Sequence, residues 1–274
     1  MKRRADPLGW LLRLWVGLTY AVLFAPIAVV VLFSFNRPRG RFNLVWQAFT
    51  LENWRDPFGD AALSQAFLTS LAIALGAALI ATLLGGCMAL ALARRQLRGG
   101  DWISLLLVLP LTTPEVVLAT ALLSLFAAQG LARGPLTLLL AHSLFCLSYA
   151  ALVLKARLEG FDWTLEAAAL DLGASPLQAF RRVTLPLLAP GLLAASLLSF
   201  SLSFDDYVVS LFTAGSTVTL PLHIAGAFQR EISPRIHVLS SLVLLTSVAL
   251  LAASSRWAAA TEARTDGGIP NPPT

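Results

Sequence analysis

Charge is what this sequence lacks. Only 13% of its 274 residues are Asp, Glu, Lys or Arg, 57% are hydrophobic, and the mean hydropathy is +0.75. A soluble domain of this length carries about a quarter charged residues, so most of this surface must face something other than water. Lysine is nearly missing: only Lys2 and Lys155 occur, and neither stands in a G-x-x-x-x-G-K-[ST] run. The chain therefore has no nucleotide-binding P-loop of its own. Its two cysteines, Cys87 and Cys146, both fall in long apolar stretches and say nothing about disulfides. His142 and Cys146 share a helical face at i, i+4, but two ligands do not make a metal site, and both are read as packing residues. Strict alternation of apolar and polar residues is also missing, which excludes a membrane β-barrel.

What is present is a series of six apolar stretches, roughly Trp15–Phe35, Phe67–Ala93, Ile103–Ala128, Leu136–Leu154, Leu188–Phe212 and Val238–Ser255. Each is long enough for a helix to cross a hydrocarbon core of about 30 Å. The expected fold is an all-α polytopic membrane protein with six transmembrane helices. A cleaved leader is the alternative for the first stretch. Its apolar core is too long for that, and no small-x-small site follows before Asn36-Arg37-Pro38. With the N-terminus inside, the inner segments hold 13 of the chain's 20 Lys and Arg, and the outer ones 7. That bias places both termini in the cytoplasm. It also accounts for a pI near 9.9 without a nucleic-acid partner. Residues 1–14 form the cytoplasmic N-terminus and 15–256 the membrane domain. The tail 257–274, with Gly267-Gly268 and three prolines, reads as disordered.

The longest inner loop, 155–187, is too orderly for a linker. Asp162 is placed to cap a helix that begins near Trp163, with Glu166 in its first turns. Ala167, Ala168, Ala169 and Leu170 favour helix, and Gly173, followed by Ala174, supplies the turn. A second short helix starts at Ser175-Pro176, carries Arg181 and Arg182, and ends before Pro186. This helix–turn–helix either lies on the membrane with its arginines near lipid phosphates or presents a small-residue surface to a partner protein.

Gly173, nine further residues, and then Val183-Thr184-Leu185-Pro186 resemble the loop motif of ABC-transporter importer permeases. In register with Gly173, the family's Glu position falls on Ala167, and Glu166 lies one residue earlier. Other segments similar to the family are Ser34-Phe35-Asn36, Phe49-Thr50-Leu51-Glu52-Asn53-Trp54 and Leu109-Pro110-Leu111-Thr112-Thr113-Pro114-Glu115. Ser203-Phe204-Asp205-Asp206-Tyr207-Val208-Val209, followed by Leu220-Pro221-Leu222, most resembles the spermidine/putrescine permeases. The resemblance implies a non-catalytic subunit in the bacterial inner membrane that itself binds no cofactor. ATP and Mg would sit on two separate ATP-binding subunits that grip the loop through Glu166, Ala167, Ala168, Gly173, Ala174, Arg181, Leu185 and Pro186. A second permease chain, an external solute-binding protein and membrane lipid complete the expected partners.

The carboxylates within apolar stretches are the candidate pathway residues. A charge at the centre of a span costs about 2.5–3.5 kcal/mol on insertion scales, so such groups face a cavity or a partner. As one continuous helix, the fifth span puts Asp205 about 25 Å along its axis, where both aspartates either meet the outer headgroups or line a route. Asp206 shares a face with Ser196, Ser199, Ser203, Ser210 and Thr213, a polar stripe that Asp205 does not join. Glu115 lies near the middle of the third span with Thr112 on the same face, beside Pro110 and Pro114, which should kink the helix and free carbonyls. Phe204 and Tyr207 either meet an ammonium through their π faces or pack. No Lys or Arg occurs in the interior of the spans between Ile103 and Ser255. An anion route would be expected to offer one, so the set suits a cation, and a polyamine is the substrate that the resemblance implies. Thiamine, iron and amino acid-like cations are the alternatives, and an ion-coupled secondary transporter is the rival from another class.

Overall fold

Backbone N–H and C=O groups in hydrocarbon have no water to bind, so long apolar segments satisfy them internally as helices. A computed structural model describes residues 7–94, 99–246 and 248. Among these there is no strand, only isolated bridges between Asn36 and Phe49 and between Phe42 and Ile232. The helices in chain order are α1 (Pro7–Phe33), α2 (Glu52–Arg55), α3 (Ala61–Ala93), α4 (Gly100–Thr112), α5 (Glu115–Ala128), α6 (Pro135–Glu159), α7 (Thr164–Asp171) and α8 (Pro176–Ala179). A π-helical turn, Phe180–Thr184, joins α8 to α9 (Leu185–Phe204), followed by α10 (Val208–Thr213), α11 (Leu220–Ala227) and α12 (Pro234–Thr246).

Among the described residues, four helical segments are long and apolar enough to cross a membrane: Trp10–Phe33, Ala61–Ala93, Pro135–Glu159 and Pro176–Phe204. The pair α4 and α5 makes a fifth only if it is counted as one broken span, because the two are bent by 109° at their junction. The sixth expected stretch begins as α12. Its continuation toward Ser255, and the tail 257–274, lie outside the described residues apart from Val248.

Two expected spans therefore differ from a simple helix. The third was expected to kink, and instead it breaks. Helix α4 runs through Pro110 and stops at Thr113, whose backbone is extended at φ −76° and ψ 131°. A residue before proline is pushed toward that region, and Pro114 then opens α5. The fifth span, expected to run unbroken from Leu188 to Phe212, ends as a helix at Phe204 and resumes at Val208.

The loop helix starting at Ser175-Pro176 has the expected start but not the expected end. Ser175 Oγ accepts from Gln178 N, and Gln178 Oε1 accepts from Ser175 N. Beyond it the chain continues through the π turn into α9, a 29-residue rod from Pro176 to Phe204. In an α-helix the Pro186 ring would clash with the carbonyl four residues back. One wider turn just before it, with Leu185 N donating to Phe180 O, relieves that crowding.

The chain divides into two compact units. The unit Ala62–Gly226 holds the main core, in which α6 packs along α9 and against α3. Helix α3 turns its small residues inward: Ala74, Ala77, Ala81 and Ala89 are buried, while Leu68, Leu75, Leu79 and Leu83 are exposed. Lipid tails are as apolar as leucine, so association is driven by close approach of backbones rather than by burial of leucine. Gly85 shows how close: a Cβ there would lie 2.8 Å from Ala151 N in α6.

In the other unit, Met1–Ala61 with Ala227–Thr274, the segment after α1 is folded around buried asparagines. Asn36 donates to Asn43 Oδ1 at 2.7 Å and accepts from Gln47 N at 2.8 Å. The Phe35 ring stacks on Phe49 and Trp54, with centroids 5.7 and 5.2 Å away.

Gly85→Val drives a branched side chain into the α6 backbone and is expected to destabilise the protein by about 1–3 kcal/mol. Gly17→Ala, where a Cβ meets nothing within 4 Å, should change stability by less than about 1 kcal/mol. Thermal unfolding in detergent separates the two, and equal shifts would contradict the close approach of α3 and α6.

Candidate functional site

The break in the fifth span is built by Asp206. Its Oδ2 accepts from Ser210 N at 2.8 Å and its Oδ1 from Val209 N at 3.3 Å, so the carboxylate satisfies two N–H groups that open α10. Adjacent Asp205 ends α9, its N–H donating to Ser201 O at 3.3 Å. Asp206 is buried at 6% exposure, whereas Asp205 and Tyr207 are exposed.

A histidine on α6 holds both sides of this break. His142 Nδ1 lies 2.7 Å from Ser203 Oγ in α9, and Nε2 lies 3.1 Å from Ser210 Oγ in α10. The same Nε2 is 3.4 Å from Asp206 Oδ2. Further along, Thr137 Oγ1 donates to Thr213 O at 2.9 Å, and Cys146 Sγ to Ser199 O at 3.4 Å. The polar stripe expected on an unbroken helix thus exists as a seam: Ser199, Ser203, Asp206, Ser210 and Thr213 are all buried, joined to α6 by these bonds. His142, a packing residue by sequence, is buried as expected and also bonds to serines 61 and 68 positions away.

Glu115 occupies the first turn of α5, where the partial positive charge of a helix start favours an acid. Helices α5 and α10 pack together. As a result the Glu115 carboxyl comes within electrostatic reach of Asp206 and Asp205. Two helix breaks and three acids meet at one place, with Glu115 and Asp205 exposed and Asp206 anchored below them. Thr112, also exposed, donates its hydroxyl to Leu109 O at 3.2 Å, and Thr113 does the same at 2.7 Å, both joining the Thr113 N–H on that last helical carbonyl. Phe204 is half-buried, with Phe200 stacked on it at 5.6 Å and Phe67 edge-on at 5.9 Å. The Tyr207 ring is 40% exposed.

The loop between α6 and α9 is a second assembly. Asp162 Oδ1 accepts from Thr164 N at 3.0 Å and Thr164 Oγ1 at 2.7 Å, and these bonds hold its carboxyl below the usual range. Helix α7 follows and closes on Gly173, whose φ of +88° is the left-handed turn expected of it. Glu166 turns inward. Arg94 Nη2 donates to its two oxygens at 2.7 and 3.0 Å, Thr184 Oγ1 donates to Oε2, and the Arg94 guanidinium lies 5.4 Å from the centre of the Trp163 ring. Ala167, at the family's Glu position, and Ala168 are exposed instead. Ala174 is half-buried, and Gly173, Arg181, Leu185 and Pro186 are exposed. Leu165, Leu170 and Leu177 are exposed as well, and Leu172 is 89% exposed.

Known proteins are similar to this chain. Residues 81–266 match the family described as binding-protein-dependent transport system inner membrane component. The spermidine/putrescine transport system permease protein PotC of Haemophilus influenzae is 39% identical over 236 residues, covering 86% of this chain and 91% of that one. The putrescine transport system permease protein PotI of Escherichia coli is 36% identical over 239 residues, covering 84% of each. Among solved structures, a bacterial ABC transporter involved in import of the acidic polysaccharide alginate contains a chain that superposes with a TM-score of 0.68. It is 15% identical and covers 93% of this chain and 98% of its own, a likeness of fold.

Asp206→Ala removes the acceptor of two buried N–H groups and should cost about 1–2 kcal/mol, the scale of a lost helix cap. Asp205→Ala should cost less than about 0.5 kcal/mol, as exposed substitutions do. Thermal unfolding of the purified protein tests this ranking, and a larger loss for Asp205→Ala would contradict the capping role.

Proposed function

The chain belongs to the family of binding-protein-dependent transport system inner membrane components, and on that premise we propose that it is the permease subunit of an ATP-driven importer of spermidine or putrescine. The observation that carries the substrate class is the meeting of Glu115, Asp205 and Asp206 at two helix breaks. Crowded carboxylates in a low-dielectric site repel one another, and a passing ammonium relieves that repulsion. The helical segments around them, 103–128, 135–154 and 185–227, contain no Lys or Arg to attract an anion. The names carried by the PotC and PotI relatives agree with this reading.

In the proposed arrangement the chain crosses the inner membrane six times with both termini in the cytoplasm. The α4–α5 pair acts as one broken span and α12 begins the sixth. The excess of Lys and Arg on the segments assigned to the inside supports it. Two ATP-binding subunits carry ATP and Mg, a second permease chain completes the route, and an external solute-binding protein delivers the polyamine. The loop of α7 and α8 is the proposed grip for an ATP-binding subunit. Its exposed leucines form an apolar surface of the kind a partner covers. Glu166 serves within the chain, tying the loop to Arg94 and Thr184 so that α7 and the α8–α9 rod move as one body. Glu115 and Asp205 are the acids that the solute meets, with Asp206 as their anchor. Thr112, Tyr207 and Phe204 line the same region.

ATPase activity of the reconstituted complex should rise with spermidine or putrescine and not with basic amino acids or inorganic cations. Asp206→Asn should lose most of that response and Asp205→Asn less. Stimulation by another solute class, or equal and negligible effects of the two variants, would overturn the assignment. Uptake that follows a proton gradient with no ATPase present would establish the ion-coupled alternative.

Gly173→Asp forces a left-handed backbone on an aspartate and puts a charge beside Leu172, with no steric clash since a Cβ there meets nothing within 4 Å. Polyamine-stimulated ATPase should be abolished while the chain still inserts. Normal stimulation would remove the loop from the docking role.

A further inference from the structure

We infer that His142 is a positioning residue for solute passage, which acts through Asp206 and does not itself touch the solute. This rests on the proposed cation route and adds to it a residue on a different helix. At 1% exposure, His142 is closed off from any passing molecule. What it does contact lies on both sides of the break in the fifth span. Its Nδ1 reaches Ser203, two residues before Asp205, and its Nε2 reaches Ser210 and Asp206 beyond it. One ring thereby ties Asp206 and the start of α10 to α6, with the Ser203 contact a second and separable one on the α9 side.

The chemistry suits a fixed brace. A neutral imidazole has one donor nitrogen and one acceptor nitrogen, and a serine hydroxyl can serve as either. The Asp206 oxygen only accepts, so the ring proton sits on Nε2, and Nδ1 accepts from the Ser203 hydroxyl; a neutral imidazole suffices. The brace also completes the surroundings of Asp206, whose other contacts are the two N–H groups of α10. Asp206 in turn stands against Glu115, and the short segment between the serines carries Asp205. Three carboxylates are thus registered against one another by a side chain that belongs to none of their helices.

Hydrophobic association does not duplicate this function. Helices α6 and α9 are held together along Phe145, Cys146, Ala150, Leu154, Leu188 and Ala195, toward the loop end of the pair. Loss of the ring would leave that core intact and free only the region of the break. The expected defect is accordingly in the passage step rather than in folding.

The two conservative amides divide the histidine's contacts. The carboxamide of asparagine sits near the position of Nδ1 and reaches Ser203 alone. That of glutamine sits near Nε2 and reaches Ser210 and Asp206. The test uses the assembled transporter in proteoliposomes with its ATP-binding subunits, partner permease and binding protein, and spermidine as the transported probe. Uptake is normalised to assembled complex. His142→Gln should keep the maximal rate within about threefold of the parent, and His142→Asn should lower it about tenfold, the scale of coupling between contacting residues. Half-saturation should not move, because the binding protein sets it. The double variant carrying His142→Asn and Asp206→Asn should be no slower than Asp206→Asn alone.

Equal rates for the Gln and Asn variants would overturn the brace. So would multiplying effects in the double variant, since residues acting through one another do not add independently. If His142→Asn is silent while Asp206→Asn is slow, the brace falls and the cation route stands. If Asp206→Asn, Asp205→Asn and Glu115→Gln are all silent, the route falls and the brace with it.

Discussion

The carboxylate of Asp206 is the group on which this architecture turns. An interrupted helix leaves N–H groups without intrahelical partners, and burying one unpaired costs about 1–3 kcal/mol. Asp206 takes two of them at the start of α10, and the contact from His142 joins that acid to α6. Elsewhere in a span such a charge would be a liability of a few kcal/mol. Here it makes an interruption tolerable, and the interruption lets Asp205 and Tyr207 turn outward while the serines before and after remain buried.

The second break obeys the same constraint with different chemistry. Pro114 brings no N–H that would need a partner and extends Thr113, while Leu109 O accepts from the Thr113 N–H and from the hydroxyls of Thr112 and Thr113. Because α5 packs on α10, the two interruptions meet, and the acid that opens α5 comes to face the acid that opens α10. Around this polar junction the unit is assembled from small residues, with alanines and glycines of α3 and α6 in contact and leucines turned outward. Close backbone approach keeps the scaffold stiff, which is what an acid group held by single hydrogen bonds requires.

Much of this was legible in the sequence, and the portions that were not share a cause. Local signals held locally: Gly173 takes the positive φ expected of it, and Ser175-Pro176 opens a helix. Apolar length located the long helices. The polar interruptions at Thr112–Glu115 and Asp205-Asp206 were visible, but hydropathy does not register backbone direction, so a kink and an unbroken helix were expected where the structure has two breaks. Pro110 and Pro114 look alike in the sequence, yet the helix passes through the first and stops at the second. The serine stripe was visible, but its partner was not: contacts of His142 with Ser203 and Ser210 span 61 and 68 positions. A lone histidine in an apolar run gives no sign of which polar groups it will meet. Similarly, the Arg94–Glu166 pair crosses 72 positions and needed the folded chain to appear.

The central claim is that the junction of the two broken helices is where a cationic solute passes. The most direct measurement is a structure of the assembled transporter in lipid, trapped with spermidine inside the membrane domain. The expected result is an ammonium nitrogen within about 4 Å of the Glu115 or Asp205 carboxylate, the distance of an ion pair. Density for the solute along a path that leaves Glu115, Asp205 and Asp206 without contact would contradict it.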